Sequence, residues 1–155
     1  MADIQSASIQ RLIDDMIETM KEYNGVGLAA DQVHEPKQIA VLEVTDNERY
    51  PEKPRMPLTV LINPQITNLS EAIEEDWEGC LRIPDLRGRV PRSNSIQVQA
   101  LDRDGCAVSF SADGFHARVI QHDWDHLNGK VYLDRMRDFS SLTFLAEFTR
   151  FWLPA

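Results

Sequence analysis

The segment QHDWDHLNG, Gln121 to Gly129, sets His122 and His126 four residues apart, with Asp123, Trp124 and Asp125 between them. On an α-helix four residues return to almost the same face, about 40° round. Both imidazoles can therefore reach one metal ion. Measured from the midline of the pair, Asp123 and Asp125 stand at about 80° on either side. Helix geometry alone leaves open which acid faces the open position of an ion and which supports a histidine from behind. Trp124 points the opposite way and is expected in the core.

A catalytic site of the zinc type takes three protein ligands and keeps one position open. Cys80, in EGCLRIP, is the candidate third ligand, and Gly79 before it removes side-chain bulk where backbone approaches a neighbour. One thiolate with two imidazoles suits zinc or ferrous iron. The alternative is a closed structural zinc with Cys106 as fourth ligand, but the two cysteines show no close Cys-x-x-Cys spacing. A disulfide between them is the less favoured reading in a chain without an export signal.

These residues need elements to hold them. The 155 residues have the length of one domain, 1–155, able to bury a core of its own, and 43% apolar with 26% charged residues excludes collagen-like, disordered and membrane classes. A net charge of -9 repels phosphate backbones, so general nucleic-acid binding is not expected. No apolar run approaches the about 18 residues of a membrane span, and MADIQSASIQ lacks the layout of a signal peptide. The expectation is a soluble, cytoplasmic protein.

Ile9, Leu12, Ile13, Met16, Ile17 and Met20 follow the rhythm of a helix with one buried face, with Ser6 or Ser8 as cap. YNGVGLAADQ reads as a glycine loop, and QIAVLEV, Gln38 to Val44, as a strand. Residues 45–57 read as an exposed, charged connection. LTVLIN and QIT read as two strands broken at Pro64. SIQVQALD and CAVSF predict a hairpin over Ser95 to Phe110 with one buried face. From Asp113 or Gly114 to Leu127 the pattern is helical, with Asn128-Gly129 as its stop. A last amphipathic stretch, Ser141 to Trp152, sets Leu142, Leu145, Phe148 and Phe151 or Trp152 on one side.

GVGLAADQ (25–32), EGCLRIP (78–84) and QHDWDHLNG (121–129) together, in that order and separation, resemble the three motifs of the peptide deformylase family. LRGRVPR and GFHARVIQHDWDHLNG are similar to its bacterial branch, and the resemblance runs from about residue 9 to 140. It implies an α+β fold in which a central metal-binding helix is surrounded by antiparallel β-sheets, with a C-terminal helix. It implies a hydrolase that removes the formyl group from nascent chains beginning with formyl-methionine. It further implies ferrous iron, replaceable by zinc, nickel or cobalt, held by Cys80, His122 and His126. Asp123 is then the proton-handling acid, and Gln32 with the Leu81 backbone N–H stabilises the oxyanion. Gly27 hydrogen-bonds the substrate backbone, and Glu78 pairs with Arg92. Arg87 lines the peptide groove, and Val26, Leu81 and Val119 wall the methionine pocket. A monomer or weak homodimer is expected.

The chain departs from that pattern at named places. Asp123 stands where the family carries glutamate, Arg82 where it carries serine, and Asp31 where it carries proline. Removing one methylene draws the carboxylate back by about 1.5 Å, and misplacement on the order of 1 Å can cost about a hundredfold in rate. The expectation is therefore a deformylase of reduced or altered activity; the rival is a catalytically weak protein that holds metal and formylated or acidic peptides. A zinc endopeptidase leaves the cysteine motif and glycine loop without a role. The first helix also begins earlier than the family's, and the carboxyl end, LTFLAEFTRFWLPA, is apolar rather than basic. That composition suits packing on the domain or a dimer contact rather than RNA docking.

Overall fold

A computed structural model describes residues 3–45 and 53–152. Helix α1, Ala7–Glu22, opens at Ser6, whose hydroxyl accepts a hydrogen bond from the Ile9 N–H at 3.3 Å. Its buried stripe is Ile9, Ile13, Met16 and Met20. The glycine loop that follows is more regular than expected. It holds a short strand, β1 (Gly27–Ala29), and a 3-10 turn, Ala30–Val33, because β1 pairs antiparallel with β2 (Ile39–Val44). Backbone pairing there overrides the glycines' local preference.

In β2 successive side chains serve opposite faces. Ile39 and Val41 pack with α1, whereas Leu42 and Val44 join a second cluster with Ala117, Val119 and Ile120 of helix α2, Gly114–Leu127. A strand buried on both faces accounts for the nearly unbroken apolar run. Of the charged connection, residues 46–52 lie outside the described residues. Met56 is already buried and begins the next strand.

The two strands expected around Pro64 are one, β3, Met56–Leu69. Ile62 pairs with Leu101 and Gln65 with Gln99, so the Asn63-Pro64 step inserts one extra residue as a β-bulge. Asn63 takes a left-handed φ of 52°, which asparagine tolerates, and proline is at home at a bulge where no ladder donor is needed. The insertion reverses the faces: Ile62 packs with α1 and Ile66 with α2, although both are even-numbered. Strands β6 (Ser95–Leu101) and β7 (Ala107–Asp113) complete the expected hairpin, with Ile96 and Val98 buried. The five-stranded antiparallel sheet has the order β1-β2-β3-β6-β7.

A second hairpin, β4 (Ile73–Cys80) with β5 (Ile83–Ser93), has little sequence signal, because it carries five acids and two prolines. Pro84 and Pro91 fall outside the stretch of β5 covered by β8 (Thr143–Phe144), which pairs only with Leu86 and Arg87. The last stretch is thus not helical throughout: β8 comes first, and helix α3 is Leu145–Phe151. The open edge at Leu86 and Arg87 takes Thr143 and Phe144 as a partner, which overrides their helical periodicity. Trp152 leans on Trp77 of β4 at 5.4 Å between ring centroids, and Phe148 on the same ring at 5.0 Å.

Helix α2 runs between the sheets, with Trp124 against the cluster that holds Leu42, Val44 and Ile120, and ends as expected. The Gly129 N–H reaches the His126 carbonyl at 3.1 Å and the Lys130 N–H the Asp125 carbonyl at 2.8 Å, with Gly129 at a φ of 78°. Gln121 ties the other side of the helix to β5, donating to the Ser93 carbonyl at 2.8 Å and accepting from the Ser93 N–H at 3.3 Å. The architecture is the α+β arrangement of a central helix, antiparallel sheets and a C-terminal helix.

Candidate metal centre and its pocket

Cys80 ends β4, and His122 and His126 lie one turn apart on α2. Their ligand atoms all fall within 4.8 Å of one another, with Cys80 Sγ 3.2 Å from His126 Nε2. The donor set fits a borderline-soft divalent ion. Burial works to raise the Cys80 pKa, but hydrogen bonds and charge from His122 and His126 outweigh it and hold the thiol at about 5. The sulfur is a thiolate, the liganding form, at neutral pH. His122 Nδ1 donates to Glu78 Oε1 at 2.8 Å, which leaves Nε2 for the ion.

Glu78 is the hub of a buried network. It accepts from Arg92 Nε and Nη2 at 2.9 and 3.0 Å, from Arg118 Nη1 at 2.5 Å, and from His122. Burial opposes its charge, yet Arg92 and His122 hold its carboxyl well below the usual carboxylate range. Arg92 also donates to Asp125 Oδ2 at 2.6 Å, and Arg135 grips the same carboxylate at 2.8 and 3.1 Å. The two aspartates are thereby distinguished. Asp125 is committed to arginines behind the histidines, whereas Asp123 lies on the cavity side.

Asp123 is 3% exposed, and its Oδ2 is buried without a hydrogen-bond partner among the described residues. Burial raises its pKa, the neighbouring His122 and His126 pull it down, and Cys80 and Asp31 push it up, leaving it at about 7. Such a carboxyl takes and returns a proton near neutrality. A Cβ added to Gly27 would overlap this carboxylate, so only glycine lets β1 pass so close.

One pocket is lined by Val26, Gly27, Gln32, Glu78, Cys80, Leu81, Val119, His122 and Asp123, joined by Trp77, Phe115 and Arg118. His126 is not part of that lining and is buried, 2% exposed. Gln32 Nε2 lies 3.8 Å from Cys80 Sγ, while its Oε1 accepts from the Ala29 N–H at 2.9 Å. An adjoining groove shares Gln32, Cys80 and Leu81 and extends past Arg82 and Arg87. Arg87 is not a surface charge: it is 7% exposed, donates to the Leu86 carbonyl at 2.8 Å, and lies where a Cβ on Gly79 would be.

A family model described as polypeptide deformylase matches residues 1–141. The chain belongs to that family. It is 50% identical over 135 residues to peptide deformylase 2 of Pseudomonas putida, covering 87% of this chain and 76% of that protein. To peptide deformylase 1 of Nitrosomonas europaea it is 47% identical over 130 residues, 84% of this chain and 74% of that one. Among solved structures it is similar to the Met-Ala-Ser-bound class I type b peptide deformylase of Acinetobacter baumannii. The TM-score is 0.83 and the identity 40%, over 85% of this chain and 83% of that chain. As a peptide deformylase the protein is a metal-dependent amidohydrolase that removes N-formyl groups from nascent peptides. Among the described residues no helix is long and apolar enough to cross a membrane.

Sequence reasoning missed Arg118, Asp125's commitment to Arg92 and Arg135, and Tyr132, whose ring stacks on His122 at 6.2 Å. Arg118 follows His116 and Ala117 inside the deformylase-like run GFHARVIQHDWDHLNG, and its position one turn before His122 was the available signal.

Proposed function

We propose that Cys80, His122 and His126 hold ferrous iron, with zinc, nickel or cobalt as substitutes, and that the pocket beside them hydrolyses formyl-methionyl peptides. The observation that carries the reading is the convergence of the three ligand atoms within 4.8 Å beside an unpartnered Asp123 oxygen. When bound, the ion supplies Lewis acidity, which makes water a nucleophile near neutral pH and polarises the formyl oxygen. Asp123 takes the water's proton and returns it to the leaving amine. Gln32 Nε2 and the Leu81 backbone N–H receive the charge that develops on the formyl oxygen. The Gly27 backbone aligns the substrate, and Val26, Leu81 and Val119, with Trp77 and Phe115, enclose the methionine side chain. Glu78 keeps His122 in one tautomer and ring orientation. Turnover is slow for the family, because the acid on α2 is one methylene short.

The test is formate release from formyl-Met-Ala-Ser by protein loaded with iron without oxygen, set beside metal content. Cys80→Ser is expected to lose both bound iron and activity, while Cys106→Ser, at an exposed free cysteine, keeps both. Metal lost with Cys106 but kept without Cys80 overturns the ligand set.

Gly27→Ala is expected to lower kcat by about a hundredfold, since the new methyl displaces the Asp123 carboxylate by on the order of 1 Å. The loaded metal stays, so metal content and kcat measured together separate this effect from loss of the site.

A further inference from the structure

Two of the chain's departures from its family meet in space. Arg82, in the turn between β4 and β5, reaches Asp31, in the 3-10 turn after β1, with Nη1 3.4 Å from Oδ2. Each is the neighbour of a residue at the pocket: Asp31 precedes Gln32, and Arg82 follows Leu81. Among the described residues this is the one ion pair Arg82 makes, and it is long for a charge-assisted bond. The Arg82 side chain is 49% exposed. It lines the groove that leads away from Cys80 and Leu81, together with Arg87 and Asp85. In a chain of net charge -9 the lining of this groove thus holds two guanidinium groups and one carboxylate, Asp85, with Asp31 paired to Arg82 beside it.

We propose that Arg82 is a specificity-determining residue, favouring peptides that carry a glutamate or aspartate shortly after the formyl-methionine. Asp31 is the internal stand-in for that carboxylate. A guanidinium presents five N–H donors, and a single contact at 3.4 Å engages one of them. The incoming carboxylate takes the donors that Asp31 does not use. Because the Arg82 side chain is half exposed, the preference is modest, up to about fivefold, and salt-sensitive.

The inference rests on the reading of the pocket as the deformylation site, and its test compares formyl-Met-Xaa-Ser and formyl-Met-Ala-Xaa with Xaa as Glu, Gln or Lys. At low salt the Glu peptide of one series is expected to show a KM about three- to fivefold below its Gln counterpart, with kcat alike. The ratio falls to one in Arg82→Ser and in about 0.5 M salt, rises in Asp31→Asn, and turns to favour Lys in Arg82→Glu. Equal KM values in the wild type, or a preference that survives in Arg82→Ser, overturn the proposal. So does an Arg82→Ser variant whose KM rises alike for all three peptides, which marks a structural arginine. If no peptide releases formate, the pocket reading fails by itself. Competition of the same unreacted peptides against a fluorescent formyl-Met peptide then decides the charge preference separately.

Discussion

Glu78→Ala is expected to destabilise the protein by about 3–5 kcal/mol in urea unfolding, the range for removing one partner of a buried ion pair. The magnitude follows from what remains. Arg92 and Arg118 are 5% and 6% exposed, and both direct donors at this carboxylate. Without it, Arg92 retains Asp125, and Arg118 retains the carbonyls of Val90 and Glu74, but a buried positive charge is left in excess. Glu78→Gln keeps the shape and one carbonyl oxygen, so its unfolding cost is smaller. Its effect on metal is expected to be large nonetheless, about 10–100-fold weaker binding, because the carboxylate that accepts from His122 Nδ1 is gone. Chelator competition measures the second effect and urea melts the first. A Glu78→Gln protein that unfolds like wild type and binds metal equally well would remove Glu78 from the centre's support.

The same network explains what was legible in the chain. His122 and His126 are readable because one helix sets their spacing, and α1 and β6 because a single buried face leaves a period. β2 was readable for the opposite reason, since burial on both faces leaves an apolar run. Glu78, Arg92, Arg118 and Asp125 come from β4, β5 and α2, and no local period records that they meet. Glu78 and Arg92 were reached only through motif resemblance. Arg118 in particular reads as a polar face residue of α2, yet it is buried because the β4–β5 hairpin covers that face with a carboxylate. The hairpin itself was hidden by its acids and prolines, whose cost is met by charge pairing inside and by an uncovered edge outside. At Asn63-Pro64 a sequence break is a change of face within one strand, which local turn chemistry does not distinguish from a strand end.

Asp123→Ala is expected to reduce kcat for formyl-Met-Ala-Ser by about 10²–10⁴-fold with metal content unchanged, the span for loss of a positioned acid-base group. Asp123 makes no hydrogen bond through Oδ2 among the described residues, so its removal leaves no buried partner stranded, and the stability change is expected to be small. That separation of kcat from stability marks a group held for chemistry. Asp123→Asn keeps shape and volume but cannot take a proton, and it should fall as far as the alanine variant. Asp123→Glu is the informative direction. It extends the carboxylate by about 1.5 Å beside Gly27, which has no Cβ to obstruct it, within the pocket that Gln32 and Leu81 also line. If the short acid limits turnover, kcat rises on the order of tenfold, within the hundredfold that a 1 Å error can cost. A fall in kcat would instead mean that the close approach of β1 to α2 at Gly27 has already brought the aspartate to the working distance. The proposal of a slowed enzyme would then be wrong.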